Sequence, residues 1–289
     1  MFDGKTASNL ASNDSYVDWF KEHDINPHHI FTWVGVPMFI RPEHSRVTFR
    51  KAIGSNLLIR GTDVKAALST MALINYQICQ SVEDDIKDIN IFITDYFDES
   101  TDESCYIRRF SKLAGIRYVP TEDVEKKIDE MEKEMNTRIE QKGKGDTSPI
   151  IGTIAYIQNA PNLKKEQYGK ISKLMMKIQD ILKNGPYYGI HLIVYAYNYK
   201  GLVDVMDNDS ISSFGNHVIL QGGEGGASQP DEKEELGSLN KGMALLVTED
   251  YTTTYDRDPV MIYNECHSDT LQQDDVLDYI FSIYKQKQD

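Results

Sequence analysis

The stretch GSNLLIRGTDVKAALSTMALINYQIC, residues 54–79, decides the fold. Its first part is a short apolar run between Gly54 and Gly61, the pattern of a buried strand. After Gly61 the period changes: Val64, Leu68, Met71, Ile74 and Ile78 recur three and four residues apart, as one face of a helix does. A strand, a tight turn and a helix in that order make half of a βαβ unit. Downstream, INIFITDY (89–96), PIIGTIAYI (149–157) and GIHLIVYAY (189–197) are further strand candidates, and NHVILQ (216–221) adds another. Helical sequence separates them. VEKKIDEMEKEMNTRIEQ (124–141) carries Val124, Ile128, Met131, Met135 and Ile139 on one face, and LKKEQYGKISKLMMKIQDILKNG (163–185) stops at Gly185 and Pro186. Apolar strands alternating with helices predict a largely parallel α/β sheet with helices on both faces.

Outward from this core, FTWVGVPMFI (31–40) and RVTFRK (46–51) read as a hairpin or edge decoration, rich in β-branched and aromatic residues. KGMALLV (241–247), TTTYD (252–256) and PVMIY (259–263) read as short closing strands, before an amphipathic helix around DDVLDYIFSIYKQ (274–286). The organisation expected is a leading segment over 1–30 and one module over 31–289. That module divides into a β extension (31–52), a core (53–221), and closing strands with a C-terminal helix (222–289). The glycine-rich run Gly222 to Gly226 has no GK[ST] after it and reads as a flexible excursion.

In an open parallel sheet, ligands bind at the carboxyl ends of the strands, so the turn Gly61–Leu68 is the first place to look. A phosphate-binding loop needs G-x-x-x-x-G-K-[ST]: glycines let the backbone wrap the phosphates, lysine neutralises them and the hydroxyl holds magnesium. With Gly61 as the first glycine, Ala66, Ala67 and Leu68 stand where Gly, Lys and Ser/Thr belong. Lys65 comes two positions early. Thr62 and Asp63 fill the turn, and Asp63 reads as a helix N-cap that sets a carboxylate where a phosphate would dock. The matching acidic residue of such a site closes an apolar strand, yet IIGTIAYI runs into Gln158, Asn159 and Ala160. Amides neither hold a metal's charge nor take a proton. Asp95 is the one carboxylate at a strand end in this region, and it reads first as a turn or helix cap.

The chain has 289 residues, 40% hydrophobic and 26% charged, with no apolar run of membrane-spanning length and no signal-peptide pattern at its start. A cytoplasmic protein without a membrane partner is expected. Net charge −14 opposes tight autonomous binding to duplex DNA. The basic sequence from Lys164 to Lys183 is the counter-candidate, with Lys164, Lys165, Lys170, Lys173 and Lys177 forming either a solvated face or a contact surface. Cys79, Cys105 and Cys266 lack metal or disulfide spacing and read as buried thiols, and Cys266–His267 alternates across a strand rather than forming a pair. No metal site is expected.

Three stretches carry a resemblance: FDG at 2–4, VTFRKAIGSNLLIRG at 47–61 and ILKNGPYYGIHLIVYAYN at 181–198. The chain resembles the C-terminal RecA-like motor modules of FtsK/SpoIIIE/HerA-type DNA translocases. The last block is the most specific, through Gly185, Pro186, Gly189, Ile190 and His191, and FGNHVILQ with LNKGMALLV resembles the two closing strands. The resemblance implies a RecA-like P-loop-type fold, a strand end at Asn198 that senses nucleotide, and membership of a translocase assembly. Active relatives carry a full phosphate loop, a Walker B Asp-Glu and a boundary arginine; here GTDVKAAL, Gln158-Asn159 and Asn216-His217 stand in their places. The implied function is a nucleotide-degenerate module beside active ATPase modules, on the same or another chain, in ring assembly or regulation. No cofactor is expected for this chain. ATP and Mg2+ belong to the neighbouring modules, and double-stranded DNA is touched indirectly. Two alternatives stand beside it: a docking module for a client protein of a secretion or defence apparatus, and an unusual ATPase built on Lys65 and Asp95.

Overall fold

A computed structural model describes residues 9–21, 29–38, 44–81, 90–142, 144, 148–165, 169–222, 239, 242–249, 255–263 and 277. Ten strands form one sheet in the order β2-β1-β10-β9-β8-β3-β7-β6-β4-β5. The strands are β1 (His29–Pro37), β2 (Ser45–Arg50), β3 (Leu57–Arg60), β4 (Asn90–Asp95), β5 (Arg117–Tyr118), β6 (Ile150–Ala155), β7 (Ile190–Ala196), β8 (Asn216–Leu220), β9 (Met243–Glu249) and β10 (Tyr255–Ile262). From β8 to β5 every pairing is parallel. From β8 outward to β2 every pairing is antiparallel.

The helices are α1 (Asp14–Lys21), α2 (Val64–Gln80), α3 (Asp102–Ala114), α4 (Val124–Glu140), α5 (Lys173–Asn184), α6 (Tyr199–Val203) and α7 (Asn208–Ser212). They cover both faces of the parallel block, as the alternation predicts. Because side chains of a strand alternate, Leu57 and Ile59 of β3 join Ile93, Ile151 and Ile193 under α2 and α3. Leu58 joins Phe92, Ile154, Leu192 and Val194 under α4 and α5. Covered on both sides, β3 is buried at all four positions, which is why its sequence is continuously apolar rather than alternating. The cluster under α2 continues into the extension through Ile30, Val47, Phe49, Val260 and Ile262, so one core runs under both halves of the sheet.

Several elements depart from the sequence expectations. α5 begins only at Lys173, where Ser172 caps it by accepting from the Met175 N–H; Lys164, Lys165 and Lys170 precede the helix. Gly185 remains right-handed, a 3-10 turn continues to Tyr188, and the left-handed terminator is Gly189 at φ 76°. On α4, Ile139 is 38% exposed, while Arg138 is 5% exposed and takes its place in the stripe. The guanidinium enters because it finds partners there, donating from Nε to Glu134 and from a terminal nitrogen to the Tyr188 carbonyl. Tyr255 and Asp256, the described end of TTTYD, and Pro259–Ile262 of PVMIY belong to a single strand, Tyr255–Ile262. Pro259 is tolerated there because β1 pairing ends at Pro37↔Val260, next to it. α3 and β5 have no counterpart in the sequence reading.

FTWVGVPMFI and RVTFRK do pair, as an antiparallel edge hairpin. The N-terminal FDG, the run from Gly223 to Gly226, the Cys266–His267 pair and all of the final helix except Leu277 lie outside the described residues.

Candidate functional site

The chain leaves β3 through α2, passes over β7 and β6, and enters the sheet again at β4; it returns to β7 along the opposite face through α4 and α5. The strand order reverses beside β3, so the carboxyl ends of β3, β7 and β6 form the switch-point crevice of a doubly wound sheet. Most residues that the sequence analysis singled out lie along this edge.

The turn after β3 is short and its donors are occupied. α2 starts at Val64, leaving only Thr62 and Asp63 between it and Gly61. Gly61 donates its N–H to the Ala196 carbonyl (3.2 Å), and the Thr62 N–H goes to the Gln221 carbonyl (3.0 Å). The Thr62 hydroxyl donates to the same carbonyl (3.3 Å), while the Gly61 carbonyl accepts from the Tyr195 hydroxyl (3.1 Å). Asp63 caps the helix by accepting from the Ala66 N–H at 3.1 Å, as expected from the sequence. Gly61 has φ 156°, and a Cβ there would lie 2.6 Å from the Leu220 Cβ, so the turn is stitched to β8 at a spacing only glycine permits. Ala67 and Leu68, which stand at the lysine and hydroxyl positions of a phosphate loop, are fully buried in the core beneath α2. Lys65 is exposed. The N–H groups of Gly61, Thr62 and Ala66 thus bond carbonyls or a carboxylate, and the side chains at the cation and hydroxyl positions lie in the core.

At the end of β6 the backbone turns at Tyr156, which adopts the left-handed conformation (φ 57°, ψ 45°). A residue with a Cβ pays about 1–2 kcal/mol for that conformation. The Tyr156 ring stacks on Phe97, with centroids 4.3 Å apart and planes 8° from parallel, and it meets Tyr197 edge-on and Tyr195 obliquely, both at 6.2 Å. Phe97 follows β4 and Tyr197 follows β7, so the stack bridges three strand ends. Burial raises the Tyr156 hydroxyl pKa, and Tyr197 and Glu103 add to the rise. Burial likewise raises that of Tyr195, to which Asp63 and Glu103 contribute. The sequence signals these aromatics only weakly, through a tyrosine directly after the apolar run of β6.

Gln158 lies in the 3-10 turn Ile157–Asn159, and its side-chain carbonyl accepts the Tyr197 N–H (3.2 Å), tying β6 to β7. Asn159 is exposed beside it. Asn198, the expected sensor position, caps α6 by accepting from the Gly201 N–H at 2.7 Å. Asp95 is 1% exposed and accepts from the Phe97 N–H (3.1 Å), the Tyr118 hydroxyl (3.0 Å) and the Ser104 hydroxyl (3.3 Å), which makes it the turn cap its sequence context suggested. Burial raises its pKa against these hydrogen bonds. Strand order puts β4 three places from β3, about 14 Å at ordinary strand spacing, so Asp95 and the Gly61 turn do not form one small site.

Lys165 donates to the Val203 carbonyl and Lys177 to Asp129 on α4, whereas Lys164, Lys170 and Lys173 are exposed. Asn216 donates to the Asn56 carbonyl (3.1 Å) and His217 bonds the Phe214 carbonyl through Nε2 (2.8 Å), so both serve the strand start. Of the cysteines, Cys105 is exposed on α3 rather than buried, and Cys79 is half-buried. Among the described residues no three His, Cys, Asp or Glu side chains gather to hold a metal. No helix among them is long and apolar enough to cross a membrane.

Comparison of the sequence with protein-family models and with curated proteins finds no match. Comparison of the fold does. The chain is similar to EssC (ATPases 2 and 3) from Geobacillus thermodenitrificans, with TM-score 0.56 and 14% identity over 90% of this chain and 50% of that one. It is also similar to Thermomonospora curvata EccC (ATPases 2 and 3) in complex with a signal sequence peptide, with TM-score 0.55 and 13% identity over 91% of this chain and 48% of that one. The pCW3 conjugation coupling protein TcpA, with ATPγS, gives TM-score 0.58 and 10% identity over 96% of this chain and 74% of that one. The chain thus spans about half the length of the EssC and EccC chains it matches. At these identities the likeness is one of fold alone: the α/β fold of these ATPase chains, which agrees with the RecA-like architecture that the sequence resemblance implies.

Proposed function

We propose that this chain is a non-hydrolytic ATPase-fold module that works beside active ATPase modules of an FtsK/SpoIIIE-like DNA translocase, in ring assembly or regulation. One observation carries the reading: the turn after β3 uses its N–H groups to donate to carbonyls at the ends of β7 and β8 and to its own Asp63 cap. A module built this way needs no nucleotide to hold that turn in place. Its length supports a modular role, since it matches half of chains described as two ATPases. ATP and Mg2+ then belong to the neighbouring modules, and duplex DNA is engaged by the assembly rather than by this chain, whose charge is −14.

A second reading, docking of a client protein, is favoured by one finding: the matched EccC structure holds a signal sequence peptide. The third, an unusual ATPase using Lys65 and Asp95, is opposed by the strand separation between them and by the three hydrogen bonds on Asp95.

Calorimetric titration with magnesium ATP and a phosphate-release assay test the main reading. No binding heat and no turnover are expected. Turnover that Lys65→Ala abolishes would replace the proposal with the third reading.

A further inference from the structure

Outside the committed turn, the carboxyl edge offers aromatic rings in an acidic setting. Phe97, Tyr156 and Tyr197 are each half-buried, close three adjacent strand ends and are joined by stacking and edge contacts. Such rings suit two kinds of guest: a nucleic-acid base, which also needs a basic groove for its phosphate, or a cation, which is drawn to the ring faces. The surrounding charge decides between them. The segment after Phe97 reads Asp98, Glu99, Ser100, Thr101, Asp102, Glu103, and it leads into α3 directly beside the stack. The charged groups that act on Tyr156 and Tyr195 are Glu103 and Asp63, both negative. Arg108 pairs with Glu99 and lies 5.4 Å from the Tyr118 ring, Arg60 lies 5.9 Å from the Tyr199 ring, and Lys65 and Lys200 are exposed on the flanking helices.

We propose that Phe97, Tyr156 and Tyr197, flanked by Glu103 and Asp63, form a docking platform for an arginine- or lysine-bearing peptide segment of a partner protein. Charge complementarity selects this occupant: the acidic flank repels phosphate and attracts a guanidinium or ammonium, and the rings add a face for it to lie on. The inference rests on the reading that the crevice holds no nucleotide, and it supplies that crevice with a ligand class of its own. It also accounts for a tyrosine kept in a left-handed conformation that glycine adopts freely: the ring is what the platform requires.

The test is fluorescence anisotropy with three labelled peptides of equal length, alternating glycine with arginine, lysine or glutamate. Arginine is expected to bind most tightly and glutamate not at all, with affinity falling as salt is raised. Glu103→Gln, which removes the charge from this half-buried side chain at nearly unchanged size, is expected to weaken the arginine peptide about three- to tenfold, and Tyr156→Gly, which suits the backbone there, about tenfold or more. Circular dichroism melting of both variants confirms that they are folded, and Tyr197→Leu is the substitute if the glycine variant is not. Equal binding of the arginine and glutamate peptides, or no effect of Glu103→Gln, would overturn the inference. Tighter binding of a thymidine oligonucleotide than of the arginine peptide would overturn it in favour of a nucleic-acid surface. Magnesium ATP competing with the arginine peptide would instead sink the reading that the crevice holds no nucleotide, so the two failures are distinct.

Discussion

Asp63 sits between two uses of the same backbone donors. Its carboxylate takes the Ala66 N–H, so Asp63→Ala exposes a helix start without replacing its bond. The expected cost is about 0.5–2 kcal/mol, read as a lower urea midpoint with unchanged slope. His191 makes a different statement about pH. It is 2% exposed, its Nδ1 donates to the Ser55 carbonyl at 2.7 Å, and the Phe49 ring meets it edge-on at 5.7 Å. Burial lowers its pKa from 6.5 to about 4; the Ser55 carbonyl opposes the shift and Arg138 adds to it. Because the folded value lies below the unfolded one, the unfolded chain binds the proton more readily. The stabilisation is therefore complete above about pH 6.5 and is lost as pH falls toward 4. A shift of this size corresponds to something on the order of 3 kcal/mol across that window. Melting curves of the wild type and His191→Gln over that range should diverge, the variant losing less stability as pH falls.

Among the elements, α4 shows how a charged residue becomes part of a core. Arg138 bonds both Glu134 and the Tyr188 carbonyl, which links α4 to the turn after α5. Arg138→Ala leaves that carbonyl without its donor and should cost about 1–3 kcal/mol by chemical denaturation, more than Lys133→Ala on the outer face. Ile139 was the apolar residue at helical spacing, and nothing in the order of residues says that a guanidinium three positions after Met135 will find two partners from separate elements. Strands β3, β4, β6, β7 and β8 were legible because burial on both faces makes them continuously apolar. α3 carried signals of its own, Thr101 capping Ser104 and Gly115 in the left-handed conformation at its end, but acidic and aromatic residues diluted its stripe. At the site, the Asp63 cap was legible because capping is local. The Gln221 and Tyr195 bonds to the turn span more than a hundred residues, and no local pattern announces them.

On the scale of the whole molecule, a parallel block and an antiparallel extension share one sheet and one core, since Trp33, Val47 and Val260 pack in the same cluster as Leu68 and Ile193. Unfolding followed by tryptophan fluorescence and by far-ultraviolet circular dichroism should therefore give coincident transitions. Two separate midpoints would mean that the halves fold independently. The junction contains one device with a kinetic meaning. Trp33 lies on β1 just before the stretch that pairs with β10, and there its N–H donates to Gln77 Oε1 (2.8 Å) while its carbonyl accepts from Gln77 Nε2 (2.9 Å). A side chain of α2 thus fills the place of a neighbouring strand. Loss of the Trp33 amide proton to solvent should then be timed by the release of a helix rather than by the fraying of a sheet edge. In hydrogen–deuterium exchange that single amide would fall in the slowest class, alongside β3 and β7, and in Gln77→Leu it would drop to the rate of its neighbours on the hairpin.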